Sequence, residues 1–237
     1  MSEASLVEYP YSYSPIAEGP INEIRRRIMP FRFALAAREI ASEIGLNDNS
    51  PKKVLEIGSG LGLLGQELFK RAKSVKFDYF GIDIVLSSLQ KGKERIPLSL
   101  QADAKKLPFS DNSFDSVVST DVLEHIPDAT FVVSEIRRVL KPGGVAFLVI
   151  ADPSEGRFRN VSDHIDRTNS GSDISFWEDL FRKQGLTLRD SSKKYREKDW
   201  RNIFKLPFLA KLKDKPGFAC AFNPVYRPGV YILENNK

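Results

Sequence analysis

Residues 54–62 read Val-Leu-Glu-Ile-Gly-Ser-Gly-Leu-Gly, an apolar run that passes directly into alternating glycines. The run predicts a short buried strand over residues 54–57, and behind the glycines Leu64, Leu68 and Ala72 recur at helical spacing. Glycine at such a junction lets the chain turn sharply and lets a ligand approach the backbone without an intervening Cβ. In open parallel sheets, ligands bind in this crevice at the carboxyl ends of the strands. The stretch therefore predicts an α/β protein with a ligand site at the loop.

The alternation of strand and helix continues along the chain. Further predicted strands are 77–84, 98–102, 116–119, 145–150, 186–188 and 230–233. Apolar spacing from Val132 to Leu140 predicts a helix that stops at the turn-forming residues 141–144, and two helices broken at Pro30 are predicted over 21–29 and 31–44. Strands that alternate with helices in this way form βαβ units and a mostly parallel sheet.

The domain organisation follows from where this pattern begins and where it is interrupted. Residues 1–50 are interpreted as an aromatic, proline-rich arm and a helical cap, and residues 51–237 as the core. Residues 193–228 form an insertion before the last strand, long enough to fold over the site as a lid.

Composition indicates an ordinary globular protein. The chain has 237 residues, of which 41% are hydrophobic and 28% charged. Its longest apolar run, residues 145–151, is far shorter than the roughly 20 residues of a membrane span. Cys220 is the only cysteine, so an internal disulfide is impossible, and no cluster has metal-ligand spacing. We therefore expect a soluble cytoplasmic protein without a transmembrane segment or a metal site.

Two ligand classes compete for the glycine loop. Gly60, Gly62 and Gly65 spell the Gly-x-Gly-x-x-Gly pattern of a dinucleotide site, with Asp83 about 20 residues further on. The alternative gives weight to Glu56, two residues before Gly58, and has the loop backbone meet an amino-acid moiety instead of a pyrophosphate. The loop by itself leaves both open.

The segments after the loop separate these alternatives. Asp83 lies at the end of the second predicted strand, where a carboxylate can accept hydrogen bonds from both hydroxyls of a ribose. Asp103 lies at the end of the third, where it can accept a hydrogen bond from an adenine amino group. Characteristic segments follow in order: Leu-Pro-Phe at 107–109, Asp-Asn-Ser-Phe-Asp at 111–115, residues 117–128, and Arg-Val-Leu-Lys-Pro-Gly-Gly at 138–144. In this order and spacing, residues 52–150 resemble the class I S-adenosylmethionine-dependent methyltransferases, in the branch that acts mostly on small molecules. The resemblance implies a Rossmann-like, doubly wound, seven-stranded, mostly parallel sheet with helices on both faces.

The resemblance also implies a set of residues that bind S-adenosyl-L-methionine and its product S-adenosyl-L-homocysteine. They are Glu56, Gly58, Ser59, Gly60, Asp83, Ile84, Asp103, Ala104 and Thr120. The glycine loop would line the methionine part, with Glu56 near the ammonium or the ribose. Asp83 would hold the ribose hydroxyls, the residues after Asp83 and Asp103 would contact the adenine, and Thr120 would face the sulfonium.

The implied reaction is direct SN2 transfer of a methyl group that is already activated, so the protein chiefly supplies alignment. A hydroxyl acceptor would benefit from a general base, for which we nominate His164 over His125; a loop histidine hydrogen-bonded to Asp163 or Asp166 is the alternative. Whether oxygen, nitrogen or carbon is methylated stays open.

Charge suggests what the acceptor is. Residues 23–38 carry five arginines against one acid, and residues 182–215 carry twelve basic residues against four acids. The hypothesis is a small anionic acceptor, or one at an anionic membrane surface reached by peripheral contact. A solvated basic face is the alternative, as are a nucleic-acid methyltransferase and a non-catalytic protein that only binds the cofactor. No oligomeric state is predicted.

Overall fold

The computed structural model describes residues 33–34, 36–46, 50–72, 77–150, 174–193 and 229–237. Residues 36–43 are helical and are named α1. The other helices are α2 (Leu63–Arg71), α3 (Leu86–Gly92), α4 (Ala129–Val139) and α5 (Ile174–Lys183). The strands are β1 (Lys52–Ile57), β2 (Phe77–Asp83), β3 (Leu98–Gln101), β4 (Phe114–Thr120), β5 (Leu140–Ile150), β6 (Leu186–Leu188) and β7 (Gly229–Asn235). A short 3₁₀ helix, Leu123–His125, lies between β4 and α4.

The seven strands form one sheet in the order β3-β2-β1-β4-β5-β7-β6. Strands β1 to β5 run parallel, whereas β7 pairs antiparallel with both β5 and β6. The chain proceeds from β1 to one edge and then crosses to β4 on the other side of β1. A crevice opens where the order reverses, between β1 and β4. The predicted doubly wound, seven-stranded α/β fold is confirmed.

The apolar stripes of the helices decide which face of the sheet each covers. On one face, Val132 and Ile136 of α4 pack in a cluster with Trp177 and Phe181 of α5. On the other face, α1 and α2 pack against the remaining side chains of the central strands. Ala37, Ile40 and Ala41 of α1, and Ile44 just after it, recur at helical spacing and are all at most 5% exposed. Helices therefore cover both faces, as predicted.

The sequence reading places two local elements wrongly. It extends α4 to Leu140 and treats residues 141–144 as a turn, but β5 already begins at Leu140. Phe114 pairs with Leu140 and Ser116 with Val145, so the four intervening residues bulge out of a continuing strand. It also misses α3, a helix of seven residues.

A side chain of β7 forms hydrogen bonds to the carboxyl end of α4. Asn235 of β7 is fully buried, and its Nδ2 donates to the carbonyls of Arg137, Leu140 and Lys141 at 3.3, 2.9 and 3.2 Å. Carbonyls at the carboxyl end of a helix have no partner within the helix. The side chain of Asn235 supplies that partner and joins α4 to β5.

Helix length also bears on membrane association. The longest helix with stated bounds, α4, has 11 residues. None of the helices in the described part of the chain is long and apolar enough to cross a bilayer.

Candidate cofactor site

The parallel strands bring the predicted cofactor residues to one edge of the sheet. Ile57 is in register with Ile82 of β2 and with Ser119 of β4, and Asp83 is in register with Gln101 of β3. The residues that follow these positions therefore surround the carboxyl ends of four neighbouring strands. They are the glycine loop, Ile84, Asp103 with Ala104, and Thr120.

The glycine loop needs glycine for two separate reasons at Gly58. Its φ is +73°, a left-handed conformation that side chains strain, and a Cβ there would lie 2.2 Å from Cγ2 of Val122. Val122 belongs to the segment after β4, so the loop and that segment are in direct contact. This contact was not predicted from the sequence, since the two residues are far apart in the chain.

Four backbone N–H groups of the loop are bonded within the protein. Those of Gly58 and Ser59 donate to the carbonyl of Ile82 at 2.8 and 2.9 Å, that of Gly60 donates to Asp83 Oδ2 at 2.8 Å, and that of Gly62 donates to the carbonyl of Ser59. A loop that cradles a pyrophosphate presents free N–H groups to it. These four groups are not offered to a pyrophosphate.

Asp83 is held in place by two backbone donors. Its Oδ2 accepts from Gly60 N and its Oδ1 from Val85 N, each at 2.8 Å. A carboxylate has about four acceptor positions, so each oxygen keeps one for a ligand. The side chain is half-buried, and its two hydrogen bonds hold it beside the loop.

Asp103 and Ala104 begin the turn that follows β3. Asp103 Oδ1 accepts from Lys105 N at 2.9 Å, and the Lys105 ammonium lies 3.9 Å from Oδ2. Ala104 is buried. Beside them, the half-buried Ile84 is fixed by its carbonyl, which accepts from Gln101 Nε2 at 2.9 Å. The residues implied to contact adenine therefore converge at one end of the sheet.

The sequence reading did not identify what holds this turn to the core. Arg138 of α4 donates to the carbonyls of Leu107 and Phe109 and to the carboxylates of Asp111 and Glu135. Glu135 in turn accepts from Leu107 N at 2.7 Å. The bonds from Arg138 lower the pKa of Glu135, whereas its partial burial alone would raise it. One helix thus clamps the segment that carries Asp103.

We expect Arg138→Met to lower the free energy of unfolding by about 2–3 kcal/mol, because it removes bonds to four groups and leaves Glu135 without its cation. Urea denaturation at neutral pH measures this. Arg182→Met is the matched control, since Arg182 pairs with Asp179 at the same spacing but is 77% exposed. Its cost should stay below about 0.5 kcal/mol. Equal costs for both variants would show that Arg138 is an ordinary surface arginine.

Glu56 differs from the two aspartates because it is buried. Only 2% of the residue is exposed, and this burial raises the pKa of its carboxyl to about 8. The nearby Tyr79 hydroxyl lowers this pKa, whereas the negative charge of Asp83 raises it further. Glu56 Oε2 and the Tyr79 hydroxyl both lack a hydrogen-bond partner of standard geometry. Tyr79 was not predicted as part of the site, because its apolar neighbours mark it as core.

The remaining residues considered from the sequence are Thr120, Ser59 and His125. Thr120 is half-buried at the end of β4, and Asp121 after it has a left-handed φ of 56°. Ser59 turns its Oγ inward against Gly81, where a Cβ would lie 2.8 Å away, so only its backbone borders the loop surface. His125 lies in the 3₁₀ helix.

Several sequence predictions fall outside the described residues. These are His164, residues 1–32 of the predicted arm and helical cap, and all of the lid except Lys193. Lys193 forms an exposed ion pair with Asp190. Among the described residues, no group of three or more His, Cys, Asp or Glu side chains is placed to hold a metal ion.

A cavity of about 280 Å³ lies at the amino ends of the parallel strands, opposite the glycine loop, so it is not part of this site. Its walls include Lys52, Asp115 and Lys141, at the amino ends of β1, β4 and β5, together with Arg189. Lys141 pairs with Asp115 and Arg189 with Glu234. These ion pairs account for the charged residues that line the cavity, so no ligand is needed to explain them.

Comparison with known proteins assigns the domain. Residues 55–148 match a family model described as a methyltransferase domain. The chain is 36% identical over 122 residues to sterol 24-C-methyltransferase ERG6B of Gibberella zeae, and 33% identical over 138 residues to 2-methyl-6-phytyl-1,4-hydroquinone methyltransferase of Synechocystis. The matches cover 48% and 56% of this chain but only 32% and 38% of those relatives. The chain thus matches about a third of each relative's length.

Solved structures share the fold at low sequence identity. An S-adenosylmethionine-dependent methyltransferase from Thermotoga maritima has a TM-score of 0.54 at 19% identity, covering 92% of this chain and 96% of that one. The [4+2]-cyclase SpnF has a TM-score of 0.58 at 18% identity, covering 85% and 80%. The fold therefore also occurs in a protein named for another reaction. The family model covers residues 55–148, which include the glycine loop and the central strands, so this part of the chain is similar to a methyltransferase domain.

Proposed function

We propose that this protein transfers the methyl group of S-adenosyl-L-methionine to a small-molecule acceptor in the cytoplasm, by direct displacement. The observation that carries the proposal is the pair of carboxyl groups at the carboxyl ends of β1 and β2: Asp83, anchored by two backbone donors, and the buried Glu56. Two carboxyl groups beside the loop suit a cationic amino acid and a ribose better than a pyrophosphate.

Individual residues have distinct tasks in this proposal. Asp83 accepts the ribose hydroxyls, Ile84 and Ala104 pack on the adenine, and Asp103 accepts from its amino group. Gly58, Gly60 and the backbone of Ser59 lie along the methionine part, with Glu56 facing the ammonium and Thr120 the sulfonium. The sulfonium supplies an activated methyl, so the protein's contribution is to align the acceptor with it and to exclude water.

The acceptor is proposed as a small anionic molecule. The two relatives described above are named for sterol and hydroquinone substrates, which supports a small organic acceptor instead of a nucleic acid. The excess of basic residues in the two sequence segments 23–38 and 182–215 supports the negative charge. His164 remains our candidate for a general base if the acceptor is a hydroxyl.

Thermal unfolding with S-adenosylmethionine, S-adenosylhomocysteine and NADH tests the cofactor assignment. A ligand at about 100 times its Kd should add about 2.7 kcal/mol, a rise of about 2–4 °C in Tm for a chain of this size. We expect the rise with the two adenosyl compounds only. Asp83→Ala should abolish it, because the ribose loses its acceptor.

Asp190→Ala is the control for that substitution, since the Asp190 side chain is 97% exposed and forms a surface ion pair with Lys193. It should leave the ligand-induced rise in Tm unchanged. A rise with NADH alone would overturn the cofactor assignment. Methyl transfer itself is then measured as release of S-adenosylhomocysteine in the presence of candidate acceptors, with none released by a protein that only binds the cofactor.

A further inference from the structure

Among the described residues, three buried polar atoms in or next to the glycine loop lack a hydrogen-bond partner of standard geometry, although the Tyr79 hydroxyl is near enough to Glu56 to act on its pKa. They are Glu56 Oε2, the Tyr79 hydroxyl oxygen and Ser59 Oγ. Buried polar atoms in native proteins nearly always have partners, so a cluster of three is unusual and points to a group that arrives from outside.

The fold places Glu56 and Tyr79 on the same face of adjacent strands. Val54 is in register with Tyr79 and Glu56 with Gly81, and side chains in register point the same way. Glycines make room for the tyrosine ring: a Cβ on Gly65 of α2 would lie 2.7 Å from Tyr79 Cε1. Because Gly81 has no side chain, the hydroxyl can extend past it towards Glu56.

In the described part of the chain, no positive charge lies against Glu56 to balance it. The groups that act on it electrostatically are Tyr79 and Asp83, both on β2. On the other side, β4 presents Val118 in register with it, and α2 presents Leu64 and Gly65, none of which is ionisable. Among the described residues Glu56 forms no salt bridge. An ionised Glu56 would therefore sit next to a second carboxylate in a buried place, which is strongly unfavourable.

We propose that Glu56 is a neutral carboxylic acid in the ligand-free protein and ionises when the ammonium group of the cofactor arrives, with Tyr79 as the positioning residue that donates to the new carboxylate. The proton of Glu56 leaves to the solvent, so one proton is released for each ammonium bound. This inference rests on the proposed function of the site. It makes cofactor affinity depend on pH through a side chain that never contacts the acceptor.

Isothermal titration calorimetry in buffers of different ionisation enthalpy counts the protons directly. Because burial raises the pKa of Glu56 to about 8, wild-type protein should release about 0.9 proton per S-adenosylhomocysteine at pH 7. Affinity should rise close to tenfold per pH unit between pH 6 and 7.5 and level off above pH 8. Adenosine, which has the ribose and the base but no ammonium, should bind without releasing protons.

Variants separate the roles of the two side chains. Glu56→Gln should release no proton and should bind with an affinity that does not change between pH 6 and 7.5. Tyr79→Phe should shift the levelling-off to higher pH, because the ionised carboxylate loses its donor. A purely structural effect of Tyr79 would lower affinity equally at every pH. Tyr231→Phe is the matched control, since Tyr231 is an equally buried tyrosine on β7, and its pH profile should match wild type.

The outcomes distinguish this inference from the proposed function. Tight binding of S-adenosylhomocysteine without proton release, or equal release with adenosine, would overturn the role of Glu56 and leave the cofactor assignment intact. Binding of neither compound would overturn both. Proton release that persists in Glu56→Gln would assign the titrating group elsewhere.

Discussion

Gly58→Ala is expected to abolish the stabilisation by S-adenosylmethionine and to lower the free energy of unfolding by about 2–4 kcal/mol. The new Cβ would meet Val122 Cγ2 at 2.2 Å in a backbone with φ of +73°, so both strain and overlap act on the loop. Relief of the overlap moves the loop away from the segment after β4 and separates the groups that hold the cofactor. Urea denaturation and ligand-dependent thermal unfolding measure the two effects.

Gly143→Ala separates strain from overlap. Gly143 has nearly the same φ, +72°, but a Cβ there would meet nothing within 4 Å. Its substitution should cost about 1 kcal/mol and leave the response to the ligand unchanged. Val122→Ala in the Gly58→Ala background should recover part of the lost stability, because it removes the overlapping atoms and leaves the strain. A normal ligand response in Gly58→Ala would contradict the proposed place of the loop.

Glu56→Gln is expected to change how the stability of the ligand-free protein depends on pH. Burial raises the pKa of Glu56 from 4.5 to about 8, so between these values the unfolded chain binds fewer protons than the folded one. The folded state of the wild type is therefore destabilised progressively as pH rises from 4.5 to 8. The variant lacks this titration. Its unfolding free energy relative to wild type should increase over that window, on the order of 4 kcal/mol in total.

Urea unfolding at several pH values between 4.5 and 8 tests this prediction, since groups that do not interact with Glu56 titrate alike in both proteins. Glu135→Gln is the control, because its stability relative to wild type should change with pH in the opposite direction. The hydrogen bonds from Arg138 lower the pKa of Glu135 in the folded protein. Glu135 therefore stabilises the folded state at pH values above its pKa in the unfolded chain, and this stabilisation is lost as the pH falls through its pKa in the folded protein. A constant difference between Glu56→Gln and wild type would mean that Glu56 is not buried in the ligand-free protein.

The predictions that succeeded came from patterns contained in one strand and the turn after it. Residues 54–62 specify both the strand and the glycines of the loop, and Asp83 and Asp103 each follow a recognisable strand. Since parallel strands end at one edge, the fold class alone was enough to bring these residues together.

The features that the sequence did not reveal depend on contacts between distant parts of the chain. Tyr79 has the composition of a core residue, and only the register of β1 and β2 brings it to Glu56. Arg138 acts on groups 27 to 31 residues away. The helix α3 was missed because its seven residues are too few to establish a period.

The position of β7 has a consequence for synthesis of the protein. β7 follows the other six strands of the described sheet in the chain, yet it lies between β5 and β6. Until residue 235 has emerged, the second edge of β5, with the apolar Phe147 and Leu148, lacks its partner in this sheet and invites pairing with other nascent chains. The site residues are translated long before that point. The strands that carry them therefore depend for protection against aggregation on a strand that is synthesised after all of them.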